Sequence, residues 1–107
     1  VRIIPTGGIK MNTITEEEFT KLVTNDTIVV QFSAGWCGPC KTLTKTIEQN
    51  EDKFNVPIYK IDIDNAPQLA QALSIRSVPT IIRFENKQET KRIVGNKPIE
   101  QFIELAV

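Results

Sequence analysis

Ile28-Val29-Val30-Gln31-Phe32-Ser33-Ala34-Gly35-Trp36-Cys37-Gly38-Pro39-Cys40-Lys41 reads as a strand, a loop and the start of a helix in one unbroken stretch. The first five residues are rich in β-branched side chains and nearly all apolar, a composition that suits a central strand covered on both faces. Beyond the loop, Cys40, Leu43 and Ile47 are three and four residues apart and so share one face of a helix. Thr42, Thr44, Lys45 and Glu48 fall on its other faces.

The same alternation continues in both directions. Upstream, Thr15-Glu16-Glu17-Glu18 is a capping box, and Phe19, Leu22 and Val23 follow at helical spacing toward an end near Asn25. Downstream, residues 56–63 read as a second strand, and Asn65 is placed to cap a helix through Leu69, Ala70 and Leu73. Residues 78–84 begin a third strand with Pro79 at its start, where the missing N–H does least harm. Glu85-Asn86-Lys87-Gln88 is a turn, Arg92-Ile93-Val94 a returning strand, and Gly95 and Asn96 break it. Pro98 sits in the first turn of a last helix that turns Phe102, Ile103 and Leu105 inward. If a strand precedes Thr15, the order is β-α-β-α-β-α-β-β-α. Strands joined through helices run parallel and the last two run antiparallel. The expectation is an α/β domain with a central mixed sheet of four to five strands and helices on both faces.

A length of 107 residues suits one domain, and 40% hydrophobic residues supply a core. A core of that size folds without disulfide staples, so the two cysteines need not be structural. Thirteen Lys+Arg balance thirteen Asp+Glu, which argues against a nucleic-acid or anionic-membrane partner. No apolar run approaches the ~20 residues that span a bilayer, and residues 1–10 do not resemble a secretory signal. Met11 is the one Met and stands just before the first helix pattern. We read it as a native start, with residues 1–10 an added extension and 11–107 the domain; the alternative is an authentic first strand.

The chemistry resides in Trp36-Cys37-Gly38-Pro39-Cys40. Two cysteines separated by two residues can close a disulfide across a turn. At a helix N-terminus the first cysteine faces unpaired backbone N–H groups and the positive end of the helix dipole. Both favour the thiolate, so Cys37 is the expected nucleophile. Cys40, one turn inside on the core side, is expected to attack second. Neither a metal nor an organic cofactor is required. A structural zinc site generally takes four ligands, against two Cys and no His here. A static structural disulfide remains an alternative in a secreted protein.

From Phe32 onward the chain resembles the thioredoxin family. The carriers are the segment from Phe32 to Lys41, Ile61-Asp62-Ile63-Asp64-Asn65, Ile75-Arg76-Ser77-Val78-Pro79-Thr80, and Val94-Gly95. The resemblance runs from about Thr15 to the C-terminus without a large insertion, and it implies the thioredoxin fold and protein-disulfide reductase activity. It also implies that Pro79 follows a cis peptide bond beside the cysteines, that the Val78 backbone pairs with an extended substrate, and that Trp36 and Gly95 border the groove. Trp36, Gly38, Pro39, Val78, Pro79 and Gly95 are thus the substrate-binding or supporting set around catalytic Cys37 and Cys40.

Three positions depart from the family's pattern. Gln31 stands where many members carry a buried Asp that moves a proton for the second cysteine, and an amide cannot ionise. We therefore expect Cys40 to lose its proton through water, with Lys60 nearby, at a position where the family has a lysine. Ser33 replaces a usual tryptophan, which makes the wall beside the site smaller and more polar. Lys45 replaces a helix-kinking proline, so the backbone hydrogen bond is retained and a straighter helix follows. The resulting expectation is a cytoplasmic, monomeric disulfide reductase acting on proteins and recharged by a thioredoxin reductase. A disulfide oxidant or isomerase, and a noncatalytic binding subunit, are the other classes.

Overall fold

The computed structural model describes residues 11–107. The extension or first strand expected over residues 1–10 lies outside them. The elements are β1 (Asn12–Thr13), α1 (Glu16–Asn25), β2 (Ile28–Ser33), α2 (Gly38–Gln49), β3 (Ile58–Asp62), α3 (Pro67–Ala72), β4 (Thr80–Glu85), β5 (Gln88–Val94) and α4 (Ile99–Leu105). Short 3-10 turns at Glu51–Lys53 and Ile63–Asn65 flank β3. The strands lie in the order β1-β3-β2-β4-β5. β3 runs parallel to both β1 and β2, whereas β4 runs antiparallel to β2 and β5. This is the expected mixed sheet, with five strands.

Strand β2 is buried along its whole length, because neighbouring strands cover both edges and helices cover both faces. Alternation sends Ile28, Val30 and Phe32 to one side, where Phe19, Val23, Ile82 and Phe84 meet them and Leu69 and Leu73 pack alongside. Val29 faces the other side with Leu43, Ile47, Ile81, Ile93, Phe102 and Leu105. By the same alternation Gln31 points to the second side, beneath α2. α1 and α3 therefore cover one face and α2 and α4 the other.

Local chemistry sets most element ends. In the capping box, Glu18 N–H donates to Thr15 Oγ1 at 3.1 Å and Thr15 N–H to Glu18 Oε1 at 3.0 Å. Asn86 and Lys87 have φ of 53° and 70°, the left-handed pair that closes a two-residue hairpin between β4 and β5.

Several boundaries differ from the sequence reading. Asn65 does not cap α3. Asp62 accepts from Asp64 N–H and starts a 3-10 turn through Asn65, so the helix begins at Pro67 with Ala66 before it and no side-chain cap. That turn also removes Ile63 from β3. β4 starts at Thr80, because Pro79 has no N–H to pair; the Val78-Pro79 bond before it is cis. Pro98 is the residue before α4, and Ile103 is half-buried while Phe102 and Leu105 are enclosed.

Arg92 on β5 was not singled out in the sequence, yet it holds the chain that leads to the cis bond. Its Nη2 donates to Leu73 O at 2.7 Å and its Nη1 to Ser74 O at 3.4 Å. Glu89 clamps the same guanidinium through two bonds of 2.7 and 2.6 Å. The hydrogen bond from Arg92 holds the Glu89 carboxyl below its ordinary value, against the opposing effect of burial, and their charges add to it. The clamp therefore contributes fully above the unfolded carboxyl's pKa and is lost as pH falls through the lowered native value. Replacing Glu89 by Gln is expected to remove that part of the acid-side loss, measured as urea midpoints at neutral pH and at about pH 3. Phe102→Ala is expected to cost about 3–5 kcal/mol in the same measurement, because a fully enclosed ring leaves a cavity. Ile103→Ala, on the half-buried side of α4, costs less.

Candidate active site

β2 ends at Ser33 and delivers the chain into a tight loop closed by Cys37 N–H donating to Ala34 O at 3.1 Å. Cys37 then occupies the cap position of α2, where its extended backbone aims the side chain along the helix start. Cys40 N–H donates to Cys37 Sγ at 3.1 Å, as an N-terminal amide donates to an ordinary oxygen cap. Gly38 and Pro39 form the first turn, where the missing N–H of proline is no loss. Cys37 and Cys40 are joined as a disulfide with Cα atoms 5.3 Å apart. Both are buried against Ala34, Ile63 and Val78.

Three segments meet around this pair. The Val78 carbonyl oxygen of the cis-proline loop lies 3.8 Å from Cys37 Sγ. Gly95 N–H donates to Pro79 O at 2.8 Å, which docks the turn after β5 onto that loop. Gly95 has φ of 87°, a conformation strained for any residue with a Cβ. Trp36 is 71% exposed although it is the largest apolar side chain, and its Nε1 donates to Asp64 Oδ2 at 3.1 Å. Val94 is also exposed. An apolar surface thus surrounds a disulfide whose own atoms are largely enclosed. Trp36, Gly38, Pro39, Val78, Pro79 and Gly95 all lie at this one end of the sheet.

Beneath the pair lies the departure at Gln31, which is wholly enclosed. Its Nε2 donates to Cys40 O at 3.2 Å and to Thr44 Oγ1 at 3.0 Å. The Thr44 hydroxyl donates to Cys40 O at 2.9 Å, one turn back along α2. Gln31 thus satisfies its amide on the backbone of the helix that carries Cys40. Lys60 is its register partner on β3. Lys60 and Cys40 both line an open cleft of about 460 Å³, together with Ser33, Thr44, Lys45 and Asp62. A tryptophan at Ser33 would carry its ring into this region, so the small side chain leaves the room. α2 continues from Gly38 to Gln49 through Lys45, in line with the absence of a proline there.

The sequence reading placed Thr44 on a helix face away from the core and Asp64 in a family-like segment, and gave neither a role at the site. Thr44 stands four residues after Cys40, a spacing that carries a signal only once Gln31 is known to lie under the same turn. Asp64 is set by the 3-10 turn that replaces the end of the expected strand.

Among the described residues no helix is long and apolar enough to cross a membrane, and no group of three potential ligands stands together to hold a metal ion. The family model for Thioredoxin matches residues 10–106. Thioredoxin of Chlamydia trachomatis is 37% identical over 93 residues, covering 86% of this chain and 91% of that protein. The bifunctional thioredoxin reductase/thioredoxin of Mycobacterium leprae is 38% identical over 78 residues, which are 71% of this chain and 17% of that protein. Among solved structures, thioredoxin of Malassezia sympodialis superimposes with a TM-score of 0.80 at 30% identity, covering 99% of this chain and 96% of the other. A strand-to-helix disulfide beside a cis-proline, in this sheet and with these relatives, makes the chain a member of the thioredoxin family and a thiol-disulfide reductase.

Proposed function

We propose that Cys37 is the attacking residue, Cys40 the resolving one, and the surface formed by Trp36, Val78, Pro79 and Gly95 the docking groove for extended protein segments. The observation that carries this division is the amide of Cys40 aimed at Cys37 Sγ. In the reduced protein the same N–H and the helix start stabilise a thiolate on Cys37 and offer nothing equivalent to Cys40. The Cys37 thiolate attacks one sulfur of a target disulfide, forms a mixed disulfide and expels the other sulfur as thiolate. Cys40, once deprotonated, attacks Cys37 Sγ, releases the remaining target thiolate and closes the Cys37–Cys40 bond. Two electrons pass from the dithiol to the target. The thiol proton of Cys40 leaves through water in the cleft shared with Lys60, because Gln31 has no proton to exchange at accessible pH.

The bonded sulfurs are restored by a partner that supplies two electrons. The name of the Mycobacterium leprae relative, which couples a thioredoxin reductase with a thioredoxin, supports such a reductase as donor. Membership of the thioredoxin family is the ground on which we extend the reading to a monomeric protein of the cytoplasm that carries electrons to several protein targets.

Reduction of a model protein disulfide, with dithiothreitol as electron source, tests the assignment. Wild type is expected to run well above the dithiothreitol background, Cys37→Ser to fall to background, and Cys40→Ser to accumulate as a mixed disulfide. Failure of wild type to accelerate the reaction would leave the fold as a binding module. Gln31→Asp is expected to raise the resolution rate about tenfold or more above the pKa of the new carboxyl and to add a titration step to the pH profile. An unchanged rate and profile would make Gln31 a packing residue alone.

A further inference from the structure

The chain as a whole carries no formal net charge, so attraction between this surface and a charged target must come from how charges are arranged around the groove. Arg76 stands two residues before Val78, and Lys97 two residues after Gly95. Two residues of chain span at most about 7 Å, so each backbone position lies within that distance of a groove residue. The bond from Gly95 N–H to Pro79 O ties the two loops together, which puts both cations on one flank. Both side chains are exposed. Neither belongs to the ion pairs found among the described residues, Arg83 with Glu85 and Arg92 with Glu89.

The opposite flank has the other sign. Asp64 holds the Trp36 indole at the groove wall. Asp62 lies close by, its carboxylate accepting from Asp64 N–H at 2.9 Å, so this flank carries two acidic groups; Asp62 also lines the cleft below with Lys41, Lys45, Glu48 and Lys60.

We propose that this groove selects disulfide-bearing segments by the order of their charges: an acidic residue on the side that meets Arg76 and Lys97, and a basic or neutral one on the side that meets Trp36 and Asp64. The inference rests on the reductase reading above and specifies its substrate class. Unit charges about 7 Å apart in water change an encounter by a factor of about two to three each, so two cations together give about fivefold after screening. The effect appears mainly in association and vanishes in high salt.

The test uses two disulfide-linked peptides of identical composition. In one, a pair of Glu precedes the cysteine and a pair of Lys follows it; in the other the order is reversed. A third peptide carries Ser at all four positions. At low ionic strength, wild type is expected to reduce one charge order with a kcat/KM about fivefold above the other, and the two to converge at about 1 M salt, where the screening length is about 3 Å. The double variant Arg76→Glu, Lys97→Glu is expected to abolish or invert the ratio. Lys87→Glu, in the hairpin at the far end of β4, is expected to keep it. Equal rates for the two orders, or a ratio that survives the double reversal, overturn the proposal while reduction of the Ser peptide leaves the reductase reading intact. No reduction of the Ser peptide overturns both.

Discussion

The bond from Cys40 N–H to Cys37 Sγ is the contact around which the rest of this protein is organised. It makes a sulfur do the work of a helix cap. Strand β2 must end where it does to present Cys37 at that position, and α2 must begin there to supply the amide and its dipole. The burial of β2 on both edges and both faces gives that junction a rigid base. Loops brought in from β4 and β5 complete the surroundings, through Val78 and through Gly95 on Pro79. A site held by secondary-structure ends from several parts of one sheet needs little from any single loop.

Beneath the sulfurs, the chain meets the demands of a buried polar position in its own way. An enclosed carboxylate at residue 31 would have to pay for desolvation or take up a proton. Gln31 instead hands both its donors to neutral partners, Cys40 O and Thr44 Oγ1. Thr44 and Gln31 therefore form one unit: removing the hydroxyl would leave a buried amide short of a partner, a more costly change than loss of an exposed hydrogen bond. Ser33 acts in the opposite direction by leaving space, and the cleft that results joins Cys40 to Lys60 and to solvent. Under the mechanism we propose, proton transfer, which a fixed carboxylate would localise, passes to that cleft instead.

The groove above the sulfurs obeys different physics. Its apolar members remain exposed: Trp36 in the loop after β2 and Val94 at the end of β5, on the sheet edge. Charges stand at its margins rather than in its floor, where burial would cost too much. In the reading we propose, affinity for an extended segment comes from apolar contact and backbone pairing, and discrimination from the margins.

Much of this was legible in the residues alone. Composition and periodicity identified the central strand and the helix after it: the nearly continuous apolar run 28–32 suits a strand covered on both faces, and Cys40, Leu43 and Ile47 must share a helix face. The capping box at Thr15 and the turn at Asn86-Lys87 are local, since their partners lie within three residues. The cysteine pair declared its chemistry by its place between a strand and a helix, and the resemblance to the thioredoxin family supplied Pro79 and Gly95. What local pattern lacked was any contact between distant segments. Arg92 reaching Leu73 O, Trp36 bonding to Asp64, and Gln31 lying under Thr44 join residues that are 13 to 28 positions apart. Such pairs leave no periodic trace, because any polar residue on an exposed face looks alike until the chain folds back on it. The same limit misplaced the cap of α3: Asn65 is a good capping residue by type, but Asp62 had already claimed the turn. The sequence by itself determined the elements and the reacting sulfurs, through short-range sterics and hydrogen bonding. Only the tertiary structure decided what surrounds those sulfurs, because that depends on which strand ends the sheet brings to the same edge.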